Sequence, residues 1–194
     1  MRRKKCEIKS MEVIEDILGR ARIGRLATLG KDGFPYITPV NYVWWNGAVY
    51  FHCAHQGEKI ENITANNKVC FEVDIPLSYL GLEYDRKRPT CHVHQFYHCV
   101  IIRGRAEVVD DLKEKAAALN ALVEVHEDTE EFVKVTEETK GVGLCSVFAV
   151  RVEKISGKSD LAQKMDVGER QKVADYLQQR GLPGDAEAAM LMRE

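Results

Sequence analysis

The chain has 194 residues, 45% of them hydrophobic and 30% charged, with a formal net charge of −2. This composition suits one soluble globular domain with a short extension and excludes collagen-like, disordered and repeat-array chains. The balanced charge gives no positive field to draw nucleic acid, and no apolar run approaches the roughly 18 residues that cross a bilayer, so neither is expected as a partner.

The opening MRRKKCEIKS is basic with no apolar stretch behind it, unlike a secretory signal. A helix is expected after Ser10, its N-cap, with Ile14, Ile17, Leu18 and Ala21 on one face and Gly24 as its stop. A strand over 23–29 and a turn over Gly30–Gly33 lead into a long strand over 34–45. Apolar side chains on both faces of that strand imply cover on both sides. Pro35 and Pro39 each remove a backbone donor, so part of it lies at an edge, a bulge or a ligand. Asn46 and Gly47 both tolerate the positive φ of a type I′ turn, which returns residues 48–53 antiparallel.

Gly57 opens a short helix over 58–65, with Ile60 and Ile63 inward. Val69, Phe71, Val73 and Ile75 alternate with polar residues as a strand, and 76–91, with Pro76, Gly81 and Pro89, reads as a loop. A strand over 92–109 precedes a helix capped by Asp110 or Asp111, with Leu112, Ala116, Leu119 and Val123 as its buried stripe. An acidic helical piece around 130–138 and a sixth strand over 144–155 follow. Six antiparallel strands with helices outside make the fold mainly β, a small barrel. A domain over 1–156 is followed by a helical C-terminal extension over 157–194, broken at Gly181–Gly184. In it 171–179 is helical, with Val173, Tyr176 and Leu177 on one face. The extension packs on a partner or on the barrel, or is a loosely held tail.

The cysteines stand at 6, 53, 70, 91, 99 and 145 with no CxxC spacing. Cys53, Cys70, Cys99 and Cys145 fall in strand-like runs, where a thiol acts as a small buried hydrophobe; reduced thiols and a cytoplasmic chain are expected.

Three segments concentrate unusual residues: 36–41, 51–59 and 91–99. In the second, a strand, a glycine turn and a helix start carrying Lys59 bring free N–H groups and an ammonium together, as phosphate sites do. From residue types alone, a solvated surface lysine and a phosphate ligand both stay open. Pro39 frees backbone groups that a flat heteroaromatic ring could use, and an ordinary edge proline is the plainer reading. His92, His94 and His98 share one strand face but span about 20 Å at ~3.3 Å per residue, so they cannot all reach one ion. No metal site is expected; a polar face or the lining of a ligand pocket is. No nucleophile triad or carboxylate pair suggests hydrolysis.

These residues carry a family likeness. The runs GRLATL from Gly24, GFPYITPVNY from Gly33, NGAVYFHCA from Asn46, Gly57-Glu58-Lys59-Ile60 and VIIRGRAE from Val100 resemble the pyridoxamine 5′-phosphate oxidase-like FMN-binding split-barrel family. Within it they are most similar to the nitroimidazole-reductase-like branch, over about residues 2–155. The resemblance implies a six-stranded antiparallel split barrel that works as a homodimer with FMN at the interface. Thr38, Pro39, Val40 and Asn41 would face the isoalloxazine through backbone groups. His52, Cys53 and Ala54 would line the ring-to-phosphate side, Lys59 would hold the phosphate, and 92–99 would add contacts. Cys53 and Cys99 stand where similar sequences carry hydroxyl residues, and the 157–194 extension has no counterpart in the likeness.

The implied function is an FMN-dependent oxidoreductase. It would pass electrons from a reduced nicotinamide nucleotide to a small-molecule acceptor such as a nitroaromatic compound; no catalytic residue is assigned. The alternative is a non-catalytic FMN or haem-binding electron carrier on the same barrel, with His52, His55, His92, His94 or His98 as an iron ligand. A barrel serving only as a dimerisation scaffold is a third reading.

Overall fold

The computed structural model describes residues 3–87, 89–129 and 131–193. Its strands are β1 (Glu7–Ile8), β2 (Ile23–Leu29), β3 (Pro35–Asn41), β4 (Val43–Trp45), β5 (Ala48–Cys53), β6 (Lys68–Leu80), β7 (His94–Val108) and β8 (Ser146–Asp160). Its α-helices are α1 (Met11–Arg20), α2 (Glu58–Ala65), α3 (Leu112–His126), α4 (Val167–Arg180) and α5 (Asp185–Arg193). The chain divides into two compact units, one of Glu15–Val73 and Val100–Ile155, the other of Met1–Ile14, Asp74–Cys99 and Ser156–Glu194. The long strands β6, β7 and β8 give a segment to each.

In the first unit the strands are ordered β3-β2-β6-β7-β8-β5-β4. The two ends of that order, β3 and β4, are separated in the chain by Tyr42 alone. The sheet therefore comes back on itself, and β3 approaches β5 while hydrogen-bonding only to β2. The fold is mainly β, an antiparallel split barrel with flanking helices. The expected long strand over 34–45 is thus two strands, broken where Tyr42 is held on three sides. Its hydroxyl donates to Leu18 O at 2.6 Å, its ring meets Phe71 edge-on, and its carbonyl lies 3.0 Å from His126 Nε2. Burial pushes the Tyr42 phenol well above its ordinary pKa. Only the far end of the run is covered on both faces; Phe34 and Ile37 are exposed, against the expectation.

Leu26, Val49, Phe51, Phe71, Ile102 and Phe148 fill the barrel interior. Gly24 lies in β2 rather than ending a helix, because the Phe71 ring takes the space a side chain would need: an added Cβ would sit 2.0 Å from Phe71 Cζ. Asn46 and Gly47 turn the hairpin with φ of 48° and 72°, as expected. Asp111 caps α3, accepting from Glu114 N–H at 2.7 Å. α3 packs Ala118 and Leu122 on Val43, Ala48, Tyr50, Val147 and Ala149, with Leu119, Ala121 and Val125 partly buried against the same core. Of the expected stripe, Ala116 is buried and Leu119 packs, half-buried, on this core, whereas Val123 is half-buried and Leu112 is exposed.

The expected helix around 130–138 does not form. Residues 131–136 carry no regular secondary structure, and Glu130 lies outside the described residues. Asn120 takes over the backbone of Val135, donating to its carbonyl and accepting from its N–H, both at 2.9 Å. Val133, Val135 and Thr136 are β-branched and resist a helix in any case.

In the second unit, β6 continues through Pro76 to Leu80, where a loop was expected, and β8 extends to Asp160. The added strand length serves the C-terminal helices. Leu77, Leu80, Phe96, Leu161, Val173 and Leu177 form one core with Ala188, Ala189 and Met192. The extension is therefore a structured half of a hydrophobic core and not a loose tail. Gly181, at φ 69°, ends α4. Arg180 then bonds the wholly buried Asp185, and Asp185 accepts from Ser78 Oγ at 2.6 Å.

Candidate functional site

The sequence-predicted residues gather around the split of the barrel, on two faces. Side chains alternate along a strand. Thr38 and Val40 share the inner face of β3 with Tyr42, and Cys53 shares the inner face of β5 with Phe51. Pro39 and Asn41 face outward, as does His52, on the side covered by α3. Ala54 follows β5 and is exposed. Val40 is buried, so it can offer a ligand only its backbone. A ligand that meets both sets must lie along the open edge of β3, where the two faces join and one side of the backbone lacks a strand partner. Pro39 sits on that edge strand, opposite Arg25.

At the inner face, α2 spans from β5 to β2. Asn62 Nδ2 donates to Thr28 Oγ1 at 3.1 Å, and the Lys59 ammonium lies 5.3 Å from the centre of the Phe51 ring. Phe51 in turn stacks on Phe148. Gly57, at φ 127°, makes a turn into α2 that a side chain would strain, and its carbonyl accepts the first helical bonds from Ile60 and Glu61. The N–H groups of Glu58 and Lys59 precede those bonds. Glu61 pairs with Lys31 at 3.1 Å, so it does not neutralise Lys59. Among the described residues, Lys59 makes no ion pair and no side-chain hydrogen bond, although it is half-buried. Burial pushes the Cys53 thiol up, and the Lys59 ammonium pulls against it, which places the two charges within electrostatic reach. The Thr38 hydroxyl is buried with no hydrogen-bond partner among the described residues. An unpaired ammonium, free N–H groups and an orphaned hydroxyl fit a polar, anionic group.

On the outer face, Asn41 and His52 line one cavity of about 540 Å³ with α3, the 132–135 segment and Cys145. Among the described residues, neither side chain has a hydrogen-bond partner. Beside it, His55 Nδ1 lies 2.8 Å from Ser146 Oγ, and its Nε2 lies 3.2 Å from Gly143 O. Of the eight predicted residues, this cavity takes in Asn41 and His52 only. Sequence reading missed Asn120, His126 and Cys145. They come from α3 and the residue just before β8, more than sixty residues away in the chain, and no local pattern joins them to β3. The 91–99 histidines lie in the other unit and do different work. His94 Nε2 is 3.0 Å from Asp160, His98 is buried and His92 is exposed. Among the described residues, no group of three or more His, Cys, Asp or Glu could hold a metal ion.

Residues 10–159 match a family model described as pyridoxamine 5′-phosphate oxidase. No curated protein matches the chain. Among solved structures, the chain is similar to a candidate 5-nitroimidazole antibiotic resistance protein from Bacteroides thetaiotaomicron. Identity is 25% and the TM-score 0.67, over 79% of this chain and 86% of that one. It shares its fold with the flavocytochrome Anf3 from Azotobacter vinelandii, at 19% identity and TM-score 0.68 over 82% and 72% of the two chains. It also shares it with the FAD and haem binding protein from Mycobacterium smegmatis, at 17% identity and TM-score 0.68 over 95% and 78%. That last alignment omits 5% of 194 residues, about ten, so it takes in most of the C-terminal helices. No helix of the described residues is long and apolar enough to cross a membrane.

Proposed function

Because the chain belongs to the pyridoxamine 5′-phosphate oxidase family, we propose that it is a flavoprotein, binding FMN and acting as an oxidoreductase on a small molecule. The observation that carries this reading is Lys59, a half-buried cation at the start of α2 with no carboxylate among the described residues. A terminal phosphate completes it, with help from the N–H groups of Glu58 and Lys59. One such cation suits a single phosphate, hence FMN. Thr38 offers its unspent hydroxyl, and the open edge of Pro39, Val40 and Asn41 offers backbone groups to a flat ring. His52 and Cys53 flank that edge from opposite faces of β5, with Ala54 beyond them. When bound, the flavin supplies hydride and electron transfer between a reduced nicotinamide nucleotide and an acceptor such as a nitroaromatic compound.

A homodimer belongs to the same reading. Ile23, Leu29 and Ile37, on the outward face of β2 and β3, are 55%, 45% and 60% exposed, an apolar stripe that a second copy would cover. All six cysteines are free thiols, which suits the reducing cytoplasm. The test is the absorbance of the purified protein, followed by release and identification of its ligand. Yellow protein that yields FMN and is bleached anaerobically by a reduced nicotinamide nucleotide is expected. Colourless protein that does not bind added FMN refutes the reading.

An electron carrier that holds haem is a second reading. It draws on a cavity of about 760 Å³ in the other unit, lined by Cys91, His92, His94 and Met165, residue types that ligate haem iron. The Mycobacterium smegmatis relative binds haem beside FAD. A Soret band in the purified protein would favour it.

A further inference from the structure

Lys59 supplies a charge but no hydroxyl, and the Cys53 thiol beside it is a weak donor. The half-buried Ser146 of β8 stands directly opposite Cys53 in the ladder. Cross-strand partners share a face, so the Ser146 hydroxyl lies on the inner face with Cys53 and Phe51. Phe51 pairs with Phe148, which makes Ser146 the diagonal neighbour of Phe51, at a spacing of about 7–8 Å. The Lys59 ammonium sits over that same Phe51 ring, 5.3 Å from its centre, and within electrostatic reach of Cys53. Lys59 and Ser146 therefore flank one stretch of the inner face.

His55 decides what Ser146 can donate. Its Nε2 lies 3.2 Å from Gly143 O and its Nδ1 lies 2.8 Å from Ser146 Oγ. A carbonyl only accepts, so Nε2 carries a hydrogen. In the neutral ring Nδ1 is then bare. It takes the single Ser146 hydroxyl proton and leaves only lone pairs turned toward an anion. In the protonated ring Nδ1–H donates to Ser146 Oγ, and the hydroxyl proton is released to point at a phosphate oxygen, which is an acceptor.

We infer that Ser146 is a further ligand of the phosphate and that His55 is its positioning residue, so that holding the phosphate takes up one proton at His55 Nδ1. No covalent bond between heavy atoms changes; the proton comes from solvent and the Ser146 O–H rotates. The inference rests on the flavoprotein reading and adds a regulation to it: mildly acidic solution tightens the hold on a phosphorylated flavin. The charged and titratable groups around His55 come from four segments. Lys31 and Glu61 form an ion pair lining the same cavity of about 450 Å³ as His55, and Glu58 and Lys59 start α2. Lys140 opens the short 3₁₀ turn Lys140–Leu144 that carries Gly143, and the thiols of Cys53 and Cys145 lie beside Ser146. Histidine is the side chain whose charge ordinarily changes between about pH 5 and 8, and burial pushes the Cys53 thiol up and away from that range.

The test dilutes the full-length protein loaded with FMN at about pH 6.5 and about pH 8, with flavin fluorescence reporting release. Riboflavin-loaded protein serves as comparison. The FMN Kd should be about three- to tenfold lower at the acidic value, and the riboflavin Kd should not change. The phosphate of FMN gains its own second proton with a pKa near 6, which opposes this trend, so the ligand does not produce it. His55→Asn keeps a polar group near the Nδ1 position but has no proton to gain, and Ser146→Ala removes the hydroxyl. Each should hold FMN with nearly one Kd at both values. Ser146→Ala should also bind about three- to tenfold more weakly than the parent in the acidic buffer. An FMN Kd in the parent that is the same in both buffers overturns the inference, as does a tightening that survives either substitution or that riboflavin shares; the flavin reading then stands. Protein that takes up FMN in neither buffer refutes both.

Discussion

Replacing Lys59 by Met isolates its charge. The substitution keeps an unbranched stem over the Phe51 ring, 5.3 Å from the present ammonium, and removes only the cation. A hydrogen bond to a charged group contributes about 1.5–3 kcal/mol. Lys59 is half-buried, so solvent screening keeps its share toward the lower end, about 1.5–2 kcal/mol. At 1.4 kcal/mol per tenfold, the FMN dissociation constant should rise about 10–30-fold. Flavin fluorescence quenching in a titration of the stripped protein measures it. Riboflavin, which has the ring without the phosphate, should bind the parent and Lys59→Met alike. Added salt should weaken FMN binding to the parent more than to the variant. Equal FMN affinity in the two proteins, or an equal loss for riboflavin, would refute the assignment of the phosphate to Lys59.

Further outcomes follow from the fold. Gly24→Ala places a Cβ 2.0 Å from Phe71 Cζ in the barrel interior and should cost about 1–3 kcal/mol of stability, read by denaturant unfolding. Gly104→Ala meets backbone, Arg151 O at 2.1 Å, which cannot rotate away; its loss should be at least as large, with a lower melting temperature. Asp185→Asn strips the buried partner from Arg180 and should cost about 3 kcal/mol. The Asp185 carboxyl is held down at about 2, first by the Arg180 hydrogen bonds and then by those of Ser78 and the Leu182 N–H, against an ordinary value of 3.8. Its folded pKa lies below the unfolded one, so its stabilisation, about 2 kcal/mol, is complete above pH ~4 and lost as pH falls toward ~2. Acid unfolding curves should show that limb in the parent and lack it in Asp185→Asn.

Much of the barrel was readable from local pattern. The Asn46–Gly47 hairpin, the start of α2 at Gly57 and the caps at Ser10 and Asp111 are written in residues whose backbone preferences act within a few positions. The errors fall where distant residues intervene. The 131–136 stretch yields to the Asn120 amide, β3 and β4 part at Tyr42 because Leu18 and His126 hold it, and α3 turns its face to fit β4 and β5. The candidate site divides in the same way. Lys59 and Pro39 stood out by residue type beside a glycine turn and within a strand. Asn120, His126 and Cys145 did not, since nothing near them in the chain marks them.

The sequence by itself determined the Asn46–Gly47 hairpin, most of the strands and the helix starts, and it marked the two segments proposed here to hold a phosphorylated ring, because period, turn chemistry and helix-start chemistry are local. Only the tertiary structure decided that β3 is an open edge and that Asn41 and His52 face a cavity under α3. It also decided that, among the described residues, Lys59 is left without a carboxylate and that residues 157–193 complete a core. Each of these depends on which surfaces meet when strands far apart in the chain pair, and burial and charge balance are properties of that meeting.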